Sequence, residues 1–180
     1  MPTEDDVQRV GDVMARDVIT VSPDERIADV VNRFVDNWID GAPVVTGDGR
    51  LVGMITIGDL IRSLAATGIG YAAAFLEPGD EQPAEAAPPG ETVADRLYRL
   101  AMSRVSDLMT RDVVTITEDA PLADAAQLMS EYGVKKLPVV NQDRLVGLVS
   151  RSDIVLRALA RMSQELVTLR DLHDLGRSES

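Results

Sequence analysis

Apolar and polar residues follow each other in a recurring order along this chain. Val18-Ile19-Thr20-Val21 is a short β-branched run and predicts a strand. Ser22-Pro23-Asp24-Glu25 reads as a helix start, with Ser22 as cap, Pro23 in the first helical position and Glu25 closing a capping box. Ile27, Val30, Val31, Phe34, Val35 and Trp38 follow at helical spacing and mark one apolar face. Pro43-Val44-Val45 predicts a strand, Asp48-Gly49 a hairpin turn, and Leu51-Val52-Gly53-Met54-Ile55 the returning strand. Thr56-Ile57-Gly58-Asp59 opens a second helix. The unit therefore reads strand, helix, strand, strand, helix.

The same order returns later. Asp12 to Val21 matches Asp107 to Ile116 at an offset of 95, and Pro43-Val44-Val45 matches Pro138-Val139-Val140 at the same offset. One residue is then lost, and Leu51-Val52-Gly53 matches Leu145-Val146-Gly147 at an offset of 94. Of 46 aligned residues, 17 are identical, which chance does not give at one register with one gap. Leu122, Ala125, Ala126 and Met129 repeat the helical face. A unit of about fifty residues buries too little apolar surface to stand alone. Two copies are expected to pack sheet face to sheet face around one shared core, leaving two equivalent clefts as paired binding sites.

The repeats span residues 10–64 and 104–159, with an insertion at 65–103 and a tail at 160–180. Within the insertion, Glu77 to Glu91 holds four Pro, five acidic residues and no basic ones, and predicts a mobile loop. Leu64 to Leu76 is at best a weak helix. Thr92 to Met102 reads as a helix with Val93, Leu97, Leu100 and Ala101 on one face. Val155, Leu159, Met162, Leu166 and Leu169 form an a/d stripe. Two readings of that stripe stand side by side: a helix docked on its own domain, or a dimer or partner contact. His173 reads as a solvated residue and takes no role.

Composition narrows the function. Among 180 residues, 18 Lys and Arg face 30 Asp and Glu, a formal charge of −12. That balance argues against a nucleic-acid binder, which needs clustered cations. No cysteine and a single histidine leave no thiolate or histidine-rich metal centre. No apolar run is long enough to span a membrane. The start, Met1 to Asp6, is acidic and polar, unlike a signal peptide, so a cytoplasmic location is expected.

Candidate chemistry sits where Thr56-Ile-Gly-Asp59 and Ser150-Arg-Ser-Asp153 occupy matching positions at helix starts. Each is an acidic variant of a capping box, and an acid there stabilises the helix by roughly 0.3–1 kcal/mol. The same carboxylate can accept both hydroxyls of a ribose, and a helix N-terminus favours a nearby phosphate. Capping and ribose binding are compatible.

The Met109-to-Ile116 segment, the Leu137-Pro138-Val139-Val140 strand and Gly147-Leu-Val-Ser-Arg-Ser-Asp153 resemble a CBS domain. Met14 to Val21, Ala42 to Val45 and Gly53 to Asp59 resemble a second one. The resemblance covers about three fifths of the chain. It implies an α/β (α+β) fold of tandem βαββα repeats packed as a pseudo-two-fold pair, with extra helices in the insertion and at the C-terminus. It also implies frequent homodimers and a regulatory sensor for an adenosine-containing ligand: AMP, ADP, ATP or S-adenosylmethionine. No obligatory cofactor is implied, and with nothing catalytic attached the chain reads as a stand-alone module.

By that resemblance the sites are composite. Thr56, Gly58 and Asp59 would share a cleft with Val113, Val114, Val134, Lys135 and Lys136. Ser150, Arg151, Ser152 and Asp153 would share the other with Val18, Ile19, Ile39, Asp40 and Gly41. Lys135 and Lys136 are the only lysines in the chain and stand where the family often places phosphate-binding cations. The alternative is an exposed turn pair with no ligand, but in a chain of charge −12 that uses Arg 16 times and Lys twice their position favours the phosphate reading. The matching residues are Asp40 and Gly41. One charge pair at about 4 Å and an effective dielectric near 20 is worth about 4 kcal/mol before desolvation, so the Asp59 cleft is expected to prefer phosphates. The Asp153 cleft is expected to stay empty or to take adenosine or a cationic ligand, unless Arg151 swings toward a phosphate and offsets Asp40. Two other function classes compete. One is an interaction protein with empty clefts acting through its C-terminal helix. The other is an enzyme, disfavoured because the chain lacks cysteine, a Gly-rich phosphate loop and an argued catalytic pair.

Overall fold

The β-branched and apolar runs form two short hairpins, and the helical stripes form the helices beside them. The computed structural model describes residues 8–67, 75 and 90–163. After a single 3-10 turn at Val10–Asp12, helix α1 spans Ile27–Asn37, strands β1 and β2 span Gly41–Val45 and Leu51–Thr56, and α2 spans Ile57–Ala66. Helix α3 covers Val93–Met102 and α4 is one turn at Val105–Leu108. Then come α5 at Leu122–Glu131, β3 at Lys136–Asn141 and β4 at Arg144–Ser150. Residues 151–163 continue as helix α6.

The sheets are two-stranded, β1 with β2 and β3 with β4. In the first, Gly41 faces Thr56 and Ala42 faces Ile55, with an irregularity at Val44/Val45. Gly49 takes φ 82 in its turn, and the second hairpin turns through Gln142 and Asp143 at φ 50 and 65. The residue lost between the repeats is thus absorbed by a tighter two-residue turn.

The predicted opening strands shrink to single parallel bridges, Val21 to Val44 and Ile116 to Val139. Helix α1 begins at Ile27, four residues beyond the expected Pro23. Ser22 and Glu25 do bond to each other, with the Ser22 amide donating to Glu25 Oε1 at 2.7 Å, but they close a turn instead. The reason is tertiary. The Pro23 and Glu25 carbonyls accept from Ser106 and Val105 at 2.9 Å each, and Ile27 donates to Ser103 at 3.0 Å. Those bonds hold the chain in a turn where the local signal favours a helix.

This pairing divides the chain in an order that the repeat alone does not announce. So far as described, one compact unit contains 18–113 with 143–145, and the other contains 8–17, 114–142 and 146–163. They are called here the Asp59 unit and the Asp153 unit. Each takes its opening segment from the other repeat. In the Asp153 unit, Val10 and Gly11 donate to Ala120 and Glu118 at 2.9 and 2.8 Å. These are the counterparts of the Val105 and Ser106 bonds.

The apolar interior of the units forms two clusters. Val10, Met14, Ile116, Leu122, Ala125, Met129, Leu137, Val139 and Val149 make one. Val105, Met109, Val21, Ile27, Val30, Phe34, Ala42, Val44 and Ile55 make the other. The two lists correspond position for position. Sizes compensate within each: Phe34 with Ala42 in one, Met129 with Leu137 in the other, as close packing of a fixed volume requires.

Only half of the predicted α1 face is covered. Ile27, Val30 and Phe34 are buried, while Val31, Val35 and Trp38 are exposed. Trp38 caps the helix in the left-handed region at φ 54, where the second repeat has Gly133 at φ 67. Ala126 is likewise exposed on α5. Helix α3 forms as expected behind a Thr92 cap but buries none of its residues. On α6, Val155, Leu159 and Met162 are exposed, so the described part of that stripe is undocked. Leu166, Leu169, His173 and most of the acidic insertion lie outside the described residues.

A close approach fixes each exchanged segment. Met54 and Thr110 exchange two backbone hydrogen bonds of 2.9 Å, and so do Ala15 and Leu148. A Cβ on Gly53 would lie 2.7 Å from Met109 Sδ and 2.9 Å from the Thr110 carbonyl; on Gly147 it would lie 2.5 Å from Met14 Sδ and 2.9 Å from the Ala15 carbonyl. Gly53→Ala and Gly147→Ala are therefore expected to cost about 1–3 kcal/mol each by urea denaturation. Gly47→Ala, with nothing within 4 Å, should leave the midpoint unchanged.

Candidate functional site

Strand β2 ends at Thr56 and the chain turns directly into α2, which places Asp59 in the helix's first turn. The Thr56 amide and hydroxyl both donate to Asp59 Oδ2 at 2.7 Å, and the Asp59 amide donates back to Thr56 Oγ1 at 3.3 Å. The capping box expected from sequence is complete. In the Asp153 unit, the Ser150 amide and hydroxyl donate to Asp153 Oδ2 at 2.8 and 2.6 Å, and the Asp153 amide donates to Ser150 Oγ at 3.4 Å.

A third such box shows what is particular about the first. Thr92 and Asp95 make the same bonds at the start of α3 on an exposed surface. The Thr92 hydroxyl bond holds the Asp95 carboxyl below its usual value. Capping alone therefore needs neither burial nor further partners. Asp59, by contrast, is only 6% exposed. Its second oxygen, Oδ1, accepts from Arg62 Nη2 and, at 3.4 Å, from the Thr110 hydroxyl. The arginine compensates a carboxylate withdrawn from water, where an unpaired charge would be costly.

Arg62 and Thr110 were not among the residues singled out from sequence. Arg62 is legible in hindsight, since i to i+3 spacing on a helix puts it beside Asp59. Thr110 reaches Asp59 only because its segment is exchanged between repeats. At the matching positions of the Asp153 unit stand Leu156 and Ala15.

The remaining candidate residues divide between the units. Val18, Ile19, Ile39, Asp40, Gly41 and Val113 belong with Thr56, Gly58 and Asp59. Val114, Val134, Lys135 and Lys136 belong with Ser150, Arg151, Ser152 and Asp153. Within the Asp59 unit the Asp40 carbonyl accepts from the Ile57 amide at 2.8 Å, beside the Thr56 cap. Within the Asp153 unit the Lys135 carbonyl accepts from the Arg151 amide at 3.0 Å in the equivalent place. Lys135 is exposed and Lys136 half-buried. The Arg151 side chain donates to the Val134 carbonyl at 3.2 Å and the Met129 carbonyl at 3.5 Å, so here it closes the turn before β3. Among the described residues no His, Cys, Asp and Glu group could hold a metal ion. No described helix is long and apolar enough to cross a membrane.

The CBS domain family model matches residues 10–66 and 105–160. The uncharacterized protein MJ1426 of Methanocaldococcus jannaschii is 32% identical over 153 residues, which cover 83% of this chain and 90% of that one. Two further curated relatives are longer, and the chain spans 24% and 41% of their length. The crystal structure of CBSX2 of Arabidopsis thaliana in complex with AMP superposes with a TM-score of 0.63 at 25% identity, covering 86% of this chain and 98% of that one. The CBS domain pair of protein MJ0100, in complex with 5′-methylthioadenosine and S-adenosyl-L-methionine, gives 0.57 at 26%, covering 82% and 97%.

Removing either hydroxyl cap isolates its structural share. Thr56→Ala and Ser150→Ala are each expected to lower stability by about 1 kcal/mol in urea denaturation. An unchanged midpoint would mean that the box contributes nothing.

Proposed function

The chain belongs to the CBS domain family, and from that premise we propose that it is a regulatory module sensing an adenosine-containing ligand: AMP, ADP, ATP or S-adenosylmethionine. Thr56, Gly58 and Asp59 take the ribose in one site, and Ser150, Ser152 and Asp153 take it in the other. Val113, Val114 and Val134 serve the base in the first site, as Val18, Ile19 and Ile39 serve it in the second. Lys135 and Lys136 neutralise phosphates at the Asp59 site, whereas Asp40 disfavours them at the Asp153 site.

The observation carrying this reading is the buried Asp59 carboxylate. One oxygen is spent on the helix cap, and the other is turned to side-chain donors, the kind of partner that a ribose hydroxyl would replace. The likeness to CBSX2 with AMP and to MJ0100 with two adenosine compounds supports the ligand class. Binding of such a ligand acts on a target by favouring one arrangement of the module over another, to the extent of its differential affinity. Homodimerisation belongs to the same proposal.

A second reading has its own observation. Val155, Leu156, Leu159 and Met162 are all exposed on α6. An interaction module with empty sites would use that helix as its contact surface.

Isothermal titration with ATP, ADP, AMP and S-adenosylmethionine separates the two. Binding is expected, with Asp59→Asn and the Lys135→Ala/Lys136→Ala pair each weakening nucleotide affinity about tenfold or more. No heat at millimolar ligand would favour the interaction module. Binding indifferent to these substitutions would remove Asp59 and the lysines from the site.

A further inference from the structure

The two carboxylates assigned to ribose are not equally available. An ionised carboxylate offers about four lone-pair positions. In Asp59 four donors meet them: the Thr56 amide and hydroxyl on Oδ2, Arg62 and the Thr110 hydroxyl on Oδ1. In Asp153 the Ser150 amide and hydroxyl occupy Oδ2, and among the described residues no donor reaches Oδ1. The difference is written in the sequence. Where the Asp59 unit has Arg62 and Thr110, the Asp153 unit has Leu156 and Ala15, and neither side chain can donate.

We infer that Arg62 is the specificity-determining residue of the Asp59 site, an internal competitor that makes it select phosphorylated adenosine ligands over adenosine. The inference rests on the ribose reading of Asp59 and adds to it. A ribose hydroxyl is a neutral donor and must displace a charged one from a 6%-exposed carboxylate. The exchange is unfavourable when the displaced guanidinium gains nothing, as with adenosine. A ligand with a phosphate gives the guanidinium a new bidentate partner and offsets that loss. Among the described residues Asp153 faces no such competitor, so it accepts the ribose of an uncharged nucleoside without an exchange of partners. The Arg62 side chain is 33% exposed on the surface of α2, within reach of a ligand arriving from solvent.

The test is a titration of adenosine and of AMP into the full chain carrying Asp153→Asn, which leaves the Asp59 site as the reporter. Arg62→Leu copies the residue of the second repeat. It is expected to tighten adenosine about fivefold and to weaken AMP, so that the preference for AMP falls about tenfold. The reciprocal variant, Leu156→Arg with Asp59→Asn, changes an exposed position and is expected to weaken adenosine at the Asp153 site. Both shifts support the role of Arg62. Binding with an unchanged AMP-to-adenosine ratio in both variants overturns that role and leaves the ribose reading intact. Absence of binding by either ligand to every protein overturns the ribose reading, and this inference with it.

Discussion

The structure depends on the seating of one backbone segment against a glycine. Met109 and Thr110 lie over Gly53, and Met14 and Ala15 lie over Gly147, close enough that a single methyl group would collide with a main-chain carbonyl. Reciprocal hydrogen bonds of 2.9 Å lock both contacts. Each unit thereby gains two of its nine core residues from the other repeat, Val105 and Met109 in one and Val10 and Met14 in the other. A half-sized repeat with too little apolar surface of its own completes its interior in this way. Neither repeat can supply a finished core from contiguous chain.

The same exchange shapes the candidate chemistry. Because the Met109 segment crosses β2 at Met54, the Thr110 hydroxyl comes within 3.4 Å of Asp59. The equivalent segment brings Ala15 to the second unit, where there is nothing to donate. Symmetric backbone and asymmetric side chains thus coexist. The fold repeats every structural bond of the helix cap, while the partners of the outer carboxylate oxygen differ completely. Divergence of that kind leaves stability largely untouched, because caps and cores match, and alters what each carboxylate can receive.

Much of this was legible in the residues. The repeat, the hairpins, the caps at Thr56 and Ser150 and the helix from Thr92 all follow from local signals that tertiary contacts do not oppose. The start of α1 departs from its local signal because Pro23 and Glu25 give their carbonyls to Ser106 and Val105, and a helix there would forfeit those bonds. The Val18–Val21 run looked like a full strand because β-branched content reports preference for extended backbone and says nothing about how many neighbours it finds. The stripe ending at Trp38 looked continuous because periodicity marks a face without saying whether anything covers it. The exchange of opening segments left no trace in composition or spacing. A sequence repeat is contiguous by construction, and the units it builds need not be.

The central claim is that a helix-capping carboxylate also receives the two hydroxyls of a ribose. Calorimetric comparison of AMP with its 2′,3′-dideoxy analogue on the unmodified chain tests it most directly. Hydrogen bonds to a charged acceptor are worth about 1.5–3 kcal/mol each, so losing both hydroxyls is expected to weaken binding by roughly a hundredfold or more. Equal affinity for the two compounds would contradict the account.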